Sequence, residues 1–133
     1  MLDKEMLISE AFKAAEHAYV PYSHYQVGAA ILCKDGKIFH GANIENASYP
    51  AGNCGERSAV FACYSNGYRK QDIEALAIVC HGPRPAAPCG VCRQVLSELL
   101  EQDTPIILSN GKEIKETSIR ELLPMQFDGE DLK

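Results

Sequence analysis

The sequence has no excess of positive charge and no long apolar run. Its 13 Lys and Arg residues are outnumbered by 18 Asp and Glu residues, which gives a formal net charge of −5. Because proteins that grip a phosphate backbone rely on Lys and Arg to displace counterions, this balance argues against a nucleic-acid partner. No apolar run approaches the length that crosses a bilayer, so a membrane partner is not expected either.

The sequence also lacks the signals of secretion and of several domains. The opening residues 1–5 are polar, without the basic flank and apolar core of a signal peptide, which predicts a cytoplasmic protein. We find no repeat, linker or low-complexity segment, and 133 residues suffice for one core, so residues 1–133 are expected to form a single domain. In a reducing compartment the six cysteines are more typical of thiols or metal ligands than of disulfides.

Hydrophobic periodicity and turn signals predict an α/β fold. A hairpin followed by alternating strand and helix indicates a mixed sheet flanked by helices. The predicted helices cover residues 2–19, 54–65 and 89–101, with a helical turn at 118–123, and the predicted strands cover 27–33, 38–41, 74–80, 105–108 and 113–115. We expect Val91, Val95, Leu96, Leu99 and Leu100 to face inward from the third helix.

Cys89 and Cys92 form a Cys-x-x-Cys motif after Pro88, at the predicted start of a helix. Taken alone, this motif fits a catalytic zinc site, a structural zinc knuckle or a redox dithiol about equally well. A structural site needs a fourth protein ligand, and the sequence has no second Cys-x-x-Cys and no paired His-Cys motif. Cys54, at the predicted start of another helix, can add a third sulfur, which leaves one position open for chemistry.

Glu56 follows Cys54 by two positions, where it can approach a metal without binding it. Such a carboxylate can take a proton from an activated water molecule and deliver it elsewhere. The alternative is that Glu56 only favours the helix dipole. Arg57 and Arg93 are candidates to withdraw charge from the sulfurs, with solvated helix residues as the alternative.

These residues resemble the cytidine deaminase family, in its small homotetrameric form with three cysteine zinc ligands. The resemblance covers nearly the whole chain. Its motifs are Tyr19-Val20-Pro21-Tyr22-Ser23, Val27-Gly28-Ala29-Ala30, Gly41-Ala42-Asn43-Ile44-Glu45-Asn46-Ala47, Pro88-Cys89-Gly90-Val91-Cys92-Arg93-Gln94 and Glu121-Leu122-Leu123-Pro124 with Phe127.

The resemblance implies a three-layer α-β-α fold with a mixed five-stranded sheet. It also implies one Zn²⁺ per chain, held by Cys54, Cys89 and Cys92. The activity it implies is hydrolytic deamination of cytidine and 2′-deoxycytidine to the uracil nucleosides, as in pyrimidine salvage, with Glu56 protonating N3 and then the departing amine. The implied partner is a small nucleoside.

The resemblance further assigns the substrate side of the site. Asn43 and Glu45 would hold the ribose 3′-hydroxyl, with a turn that bonds its own backbone as the alternative. Tyr25 stands where relatives usually have Phe stacked on the pyrimidine, and Gly55 where Ala is usual and the backbone bonds the base. Phe127 would close a neighbour's pocket in a homotetramer, whereas by itself the apolar tail could pack on its own core.

Several alternatives stay open at this point. A deaminase of another small aminopyrimidine such as blasticidin S would share the metal motifs. A structural zinc module, a binding protein without catalysis and a thiol oxidoreductase with a Cys89–Cys92 disulfide come from other classes. We expect Cys33, Cys63 and Cys80 to be small buried hydrophobes. No ligand spacing relates the four histidines: His17, His24, His40 and His81.

Overall fold

The computed structural model describes residues 2–133. Its helices are α1 Lys4–Ala15, α2 Gly55–Ser65, α3 Gly90–Leu99 and α4 Ile119–Leu122. Its strands are β1 Val27–Cys33, β2 Ile38–Ala42, β3 Ile73–Cys80, β4 Ile106–Ser109 and β5 Ile114–Thr117. Every helix and strand expected from the sequence is therefore present. No helix in the described part of the chain is long and apolar enough to span a bilayer.

The first helix is shorter than the sequence pattern predicts. It begins after Asp3, whose carboxylate accepts a hydrogen bond from the Met6 N–H at 3.0 Å, and it ends at Ala15 instead of residue 19. Tyr19 donates its backbone N–H to Asn43 O at 2.9 Å and pairs with Ile44 as an isolated bridge. This long-range pairing takes the place of the last helical turn.

The sheet has the strand order β2-β1-β3-β4-β5. Strands β3 and β4 run parallel, and every other neighbouring pair runs antiparallel. The β1–β2 hairpin turns at Asp35-Gly36, where Gly36 has φ 92°, a conformation that glycine adopts without steric cost. The predicted mixed five-stranded sheet is confirmed.

Two apolar clusters cover the two faces of the sheet. Helix α1 packs on one face with Leu7 and Ala11, while α2 and α3 pack on the other with Val60 and Leu96. This confirms the three-layer arrangement and leaves β3 buried almost throughout. Cys33, Cys63 and Cys80 are buried, as expected of small hydrophobes. Val91 does not face inward as predicted, because its side chain is 58% exposed in the first turn of α3.

Helix α2 lies directly against strand β2, because Gly41 has no side chain. A Cβ at Gly41 would clash with the backbone of Ala59 and of Gly55. The start of α2 therefore sits where β1 begins and β2 ends, since the nearest atoms to a Cβ at Gly55 belong to Val27 and Ala42. This contact brings the residues at the start of α2 to one corner of the sheet.

Candidate active site

The starts of two helices carry the three cysteines. Cys54 is the N-cap of α2, Cys89 is the N-cap of α3, and Cys92 lies in the first turn of α3. An N-cap side chain usually accepts a hydrogen bond from the helix backbone, but neither Cys54 nor Cys89 makes such a bond. Both sulfurs are therefore free for another partner and lie near the positive ends of two helix dipoles.

The sulfurs of Cys54, Cys89 and Cys92 all lie within 4.8 Å of one another. The Sγ atoms of Cys54 and Cys89 are 4.0 Å apart, and those of Cys89 and Cys92 are 3.5 Å apart. A tetrahedral zinc ion with Zn–S bonds of about 2.3 Å separates its sulfurs by roughly 3.8 Å. The three residues fit zinc in chemistry and in spacing, with one coordination position left over.

Arg57 lies against the sulfur cluster. Its Nη2 donates a hydrogen bond to Cys54 Sγ at 3.2 Å. Hydrogen bonds from Cys92 and from Arg57 lower the pKa of the Cys54 thiol to about 5, against the opposing effect of burial. Among the described residues, Nε of Arg57 is buried without a hydrogen-bond partner, a cost that a negatively charged cluster beside it offsets. Arg57 thus contacts the sulfur of Cys54, and its charge-withdrawing role stays a prediction.

Glu56 is buried beside the cysteines, with 5% of its surface exposed. Burial raises the pKa of its carboxyl group, and the neighbouring Cys54 charge acts in the same direction. Among the described side chains, the group close enough to share one ion consists of the three cysteines and does not include Glu56. Its position next to the sulfurs but outside the ligand group is the one that a proton carrier needs.

Asn43 and Glu45 are tied to the segment that precedes β1. Asn43 Nδ2 donates to Tyr25 O at 2.8 Å, and its Oδ1 accepts from Val27 N at 3.0 Å. Glu45 Oε1 accepts from the backbone N–H groups of Tyr22 and Ser23, each at 3.1 Å. The hydrogen bonding of Ser23 to Glu45 lowers the pKa of the Glu45 carboxyl group. These bonds run to a segment 16 to 23 residues away, so the side chains do more than close their own turn.

A cavity of about 260 Å³ opens beside the metal ligands. It is lined by two of the predicted substrate residues, Asn43 and Glu45, together with Cys54 and Arg57. Ser23 and Tyr49 also line it, although sequence reasoning singled out neither of them. The Tyr22-Ser23 pair stood within a recognised motif, and that signal could have identified Ser23.

Three other residues predicted for the substrate side lie outside this cavity. Tyr25 lines a neighbouring cavity, where burial and a hydrogen bond with Cys80 raise the pKa of its hydroxyl to about 12. Gly55 is buried, and a Cβ there would lie 3.1 Å from Val27 O. Glycine therefore lets the start of α2 lie close to Val27, whereas alanine would force the two backbones slightly apart. Phe127 is 56% exposed and belongs to the C-terminal segment. One chain therefore assembles the metal side of the site and only part of the substrate side.

Arg93 bonds to the loop that precedes Cys89. Its Nε donates to Pro88 O at 2.8 Å and its Nη1 donates to Leu122 O at 2.9 Å. Arg93 is therefore not a solvated helix residue, which was the alternative considered above. Its guanidinium group donates hydrogen bonds to carbonyl oxygens. Arg93 thus fixes the residue before Cys89 against the end of α4.

Comparison with known proteins agrees with the geometry. The family described as "Cytidine and deoxycytidylate deaminase zinc-binding region" matches residues 1–107. The chain is 53% identical over 132 residues to the cytidine deaminase of Halalkalibacterium halodurans, covering 98% of both chains, and 49% identical to that of Sporosarcina psychrophila, covering 98% of this chain and 96% of the relative.

Solved structures give the same result. The crystal structure of cytidine deaminase from Burkholderia pseudomallei superposes with a TM-score of 0.91 at 44% identity, covering 95% of this chain and all of that one. A blasticidin-S deaminase of Bacillus cereus is more distant, at 31% identity over 129 residues, with 91% of this chain and 89% of that protein covered.

Proposed function

The chain belongs to the cytidine and deoxycytidylate deaminase family, and from this premise we propose that it hydrolyses cytidine and 2′-deoxycytidine to uridine and 2′-deoxyuridine with release of ammonia. The observation that carries the proposal is the group of three cysteine sulfurs, within 4.8 Å of one another, beside a buried Glu56 that is not part of the group. Three sulfurs leave a tetrahedral ion one position for a reacting water molecule.

Cys54, Cys89 and Cys92 hold one zinc ion per chain. Bound there, zinc supplies a Lewis acid that activates water as a nucleophile. Three thiolates give the centre net negative charge, which weakens this activation. Arg57, through its bond to Cys54 Sγ, and the starts of α2 and α3 withdraw part of that charge.

Glu56 is the proton carrier. Attack at C4 of the pyrimidine moves electron density onto N3, so a carboxylic acid next to N3 stabilises the transition state more than the ground state. Glu56 takes one proton from the attacking water and delivers it to N3, then takes the second from the hydroxyl now bonded to C4 and gives it to the amine, which leaves as ammonia while the C4 carbonyl forms. Its burial keeps this proton out of exchange with bulk water during the reaction.

Asn43 and Glu45 bind the ribose 3′-hydroxyl, which cytidine and 2′-deoxycytidine share. Both side chains line the cavity next to Cys54, and their bonds to the segment before β1 hold them in place. That segment also carries Tyr25, whose aromatic face stacks on the pyrimidine, while the backbone at Gly55 bonds the base. A free nucleoside suits this arrangement.

A second copy of the chain completes the substrate site. Phe127 is exposed on its own chain and lies outside the cavity, so it is available to close the site of a neighbour in a homotetramer. Large exposed side chains surround the cavity mouth, including Tyr49 and Ile44, and contacts between copies would cover them. The enzyme acts as a single domain of residues 1–133, in the cytoplasm, in pyrimidine salvage.

The alternatives differ in measurable ways. Comparing turnover of cytidine with turnover of blasticidin S tests the substrate, and we expect cytidine to be strongly preferred. Metal analysis of the same sample separates the other classes: a thiol oxidoreductase predicts a Cys89–Cys92 disulfide without zinc, and a structural zinc module predicts zinc without turnover. No ammonia release from cytidine by zinc-loaded protein would defeat the proposal.

A further inference from the structure

A second cavity, of about 660 Å³, adjoins the substrate side of the site. It lies between the loop after β3, the start of α3 and the edge formed by β4 and β5. Three cationic side chains line it: Arg84, Arg93 and Lys115. Tyr25 and two prolines supply apolar walls, and none of its described lining residues is acidic. We call it the cationic cavity.

Among the described residues, none of these three cations pairs with a carboxylate. Arg93 is occupied by the carbonyl oxygens of Pro88 and Leu122. Among the residues that the structure describes, neither Arg84 nor Lys115 has a carboxylate oxygen within 4.0 Å. Lys115 pairs with Leu108 across the β4–β5 ladder, so its side chain shares the face on which the cavity lies. The cavity therefore presents two free positive charges beside apolar surface.

The C-terminal segment of the same sequence has the complementary character. Residues 128–133, here called the acidic tail, contain Asp128, Glu130 and Asp131 against the single cation Lys133. Leu132 is 78% exposed, so the tail also offers apolar surface. The hydrogen bond from Gln94 Nε2 to Phe127 O, 2.9 Å long, holds the chain just before the tail against α3.

We propose that the acidic tail of a second copy occupies the cationic cavity, so that Arg84 and Lys115 are interface cations. This inference rests on the proposed function, in which Phe127 of a neighbour closes the substrate site. Tyr25 lines the cationic cavity, and its backbone carbonyl accepts a hydrogen bond from Asn43, which lines the cavity beside Cys54, so the two cavities are adjacent. Gly129–Leu132 form a 3₁₀ helix, which rises about 2.0 Å per residue. A chain that places Phe127 beside Tyr25 therefore keeps its acidic side chains within about 10 Å of Tyr25, which shares the cationic cavity with Arg84.

The contact between the acidic tail and the cationic cavity would offset charge repulsion between two copies. Two copies that each carry a net charge of −5 repel one another over their surfaces as a whole. A local match between a cationic concavity and an acidic segment lowers that repulsion and fixes the register of the two copies.

The test is the oligomeric state of the full chain, measured by sedimentation over a concentration series. Arg84→Glu should raise the dissociation constant of the assembly at least about tenfold and weaken its dependence on salt, because truncating or reversing an interface charge acts in this way. Lys34→Glu, which makes the same charge change in the exposed β1–β2 turn, should leave assembly unchanged. Equal effects of the two variants would overturn the proposal.

A second variant shows whether the tail is the partner. Changing Asp128, Glu130 and Asp131 to their amides keeps the hydrogen-bond acceptors that cap the tail and removes its charge. In that background Arg84→Glu should raise the dissociation constant of the assembly less than about threefold, since the interacting charges are gone. If Arg84→Glu still raised the dissociation constant tenfold in that background, Arg84 would contact a group other than the tail, which would overturn the proposal.

Calorimetric titration with inorganic phosphate tests the rival occupant, a free anion. We expect no Arg84-dependent binding in the assembled protein, because the tail fills the cavity, and such binding would refute the assignment. Zinc content and cytidine turnover of the unaltered chain are recorded separately. If the protein is an active tetramer whose dissociation constant Arg84→Glu does not change, only the tail contact is overturned. Zinc-loaded protein without turnover overturns the proposed function.

Discussion

The corner that holds the three cysteines and the side that receives the substrate are built in different ways. Cys54, Cys92 and Glu56 are fixed at the starts of two helices within one chain, and Glu56 is buried. The side proposed to receive the substrate carries exposed aromatic side chains, with Tyr49 at 65% and Phe127 at 56% exposure. The metal corner is thus complete within one chain, whereas we propose that enclosure of the substrate needs a second one.

Removal of a metal ligand should have the largest effect. Cys92→Ser replaces a buried thiolate donor with a hydroxyl that zinc binds poorly, so we expect loss of bound zinc and of detectable deamination. Cys33→Ala is the matched control, because Cys33 is also buried but lies outside the sulfur group. It should lower stability by about 1 kcal/mol and keep one zinc per chain. Retention of zinc by Cys92→Ser would show that the ligand set is wrong.

Loss of the aromatic side chain at position 127 should come next. Phe127→Ala should lower kcat/KM about tenfold to a hundredfold, as expected for about 1.5–3 kcal/mol of lost apolar burial. Zinc content should stay at one per chain, since Phe127 lies outside the metal corner. Met125→Ala, a change at a fully exposed neighbour, should leave kcat/KM within about twofold. Full activity of Phe127→Ala, or of a monomer, would contradict the shared site.

The proposed contact of Glu45 with the sugar can be tested by pairing a variant with a substrate analogue. Glu45→Gln removes the negative charge of the acceptor, and we expect KM for cytidine to rise about tenfold, since hydrogen bonds to charged groups contribute about 1.5–3 kcal/mol. For 3′-deoxycytidine, the KM of the same variant should be about equal to that of the unaltered enzyme. An equal rise of KM for both substrates would assign Glu45 to holding the Tyr22–Ser23 backbone alone.

The hydroxyl of Tyr25 should matter least. Tyr25→Phe keeps the aromatic face proposed to stack on the pyrimidine and removes the hydroxyl that bonds to Cys80 and lies near Gly82. Steady-state kinetics should show kcat/KM within about threefold of the unaltered enzyme. A loss above tenfold would mean that the hydroxyl itself contacts the substrate.

Local signals in the sequence predicted most of the fold and the metal corner. The hairpin of strands 27–33 and 38–41, the helix end at residue 65 and the cysteine motifs at helix starts depend on signals within a few residues, and each lies where expected. The end of α1 was predicted too late because Tyr19 pairs with Ile44, a contact that periodicity does not report. The contact of Arg93 with Leu122, 29 residues away, was hidden for the same reason.

The substrate side was predictable only through family resemblance. Asn43 and Glu45 share a cavity with Cys54, but Tyr25 and Phe127 lie elsewhere on the isolated chain. Their proposed roles depend on a bound nucleoside and on a neighbouring copy. No pattern of spacing within the sequence encodes those two partners.

The most direct test of the central claim is Glu56→Gln, assayed for ammonia release from cytidine and for zinc in the same preparation. The amide has nearly the same shape but cannot carry the proton, so turnover should fall by about 10²- to 10⁴-fold while zinc stays at one per chain. Loss of zinc together with activity would make Glu56 a structural or ligand residue, and undiminished turnover would remove it from the reaction altogether.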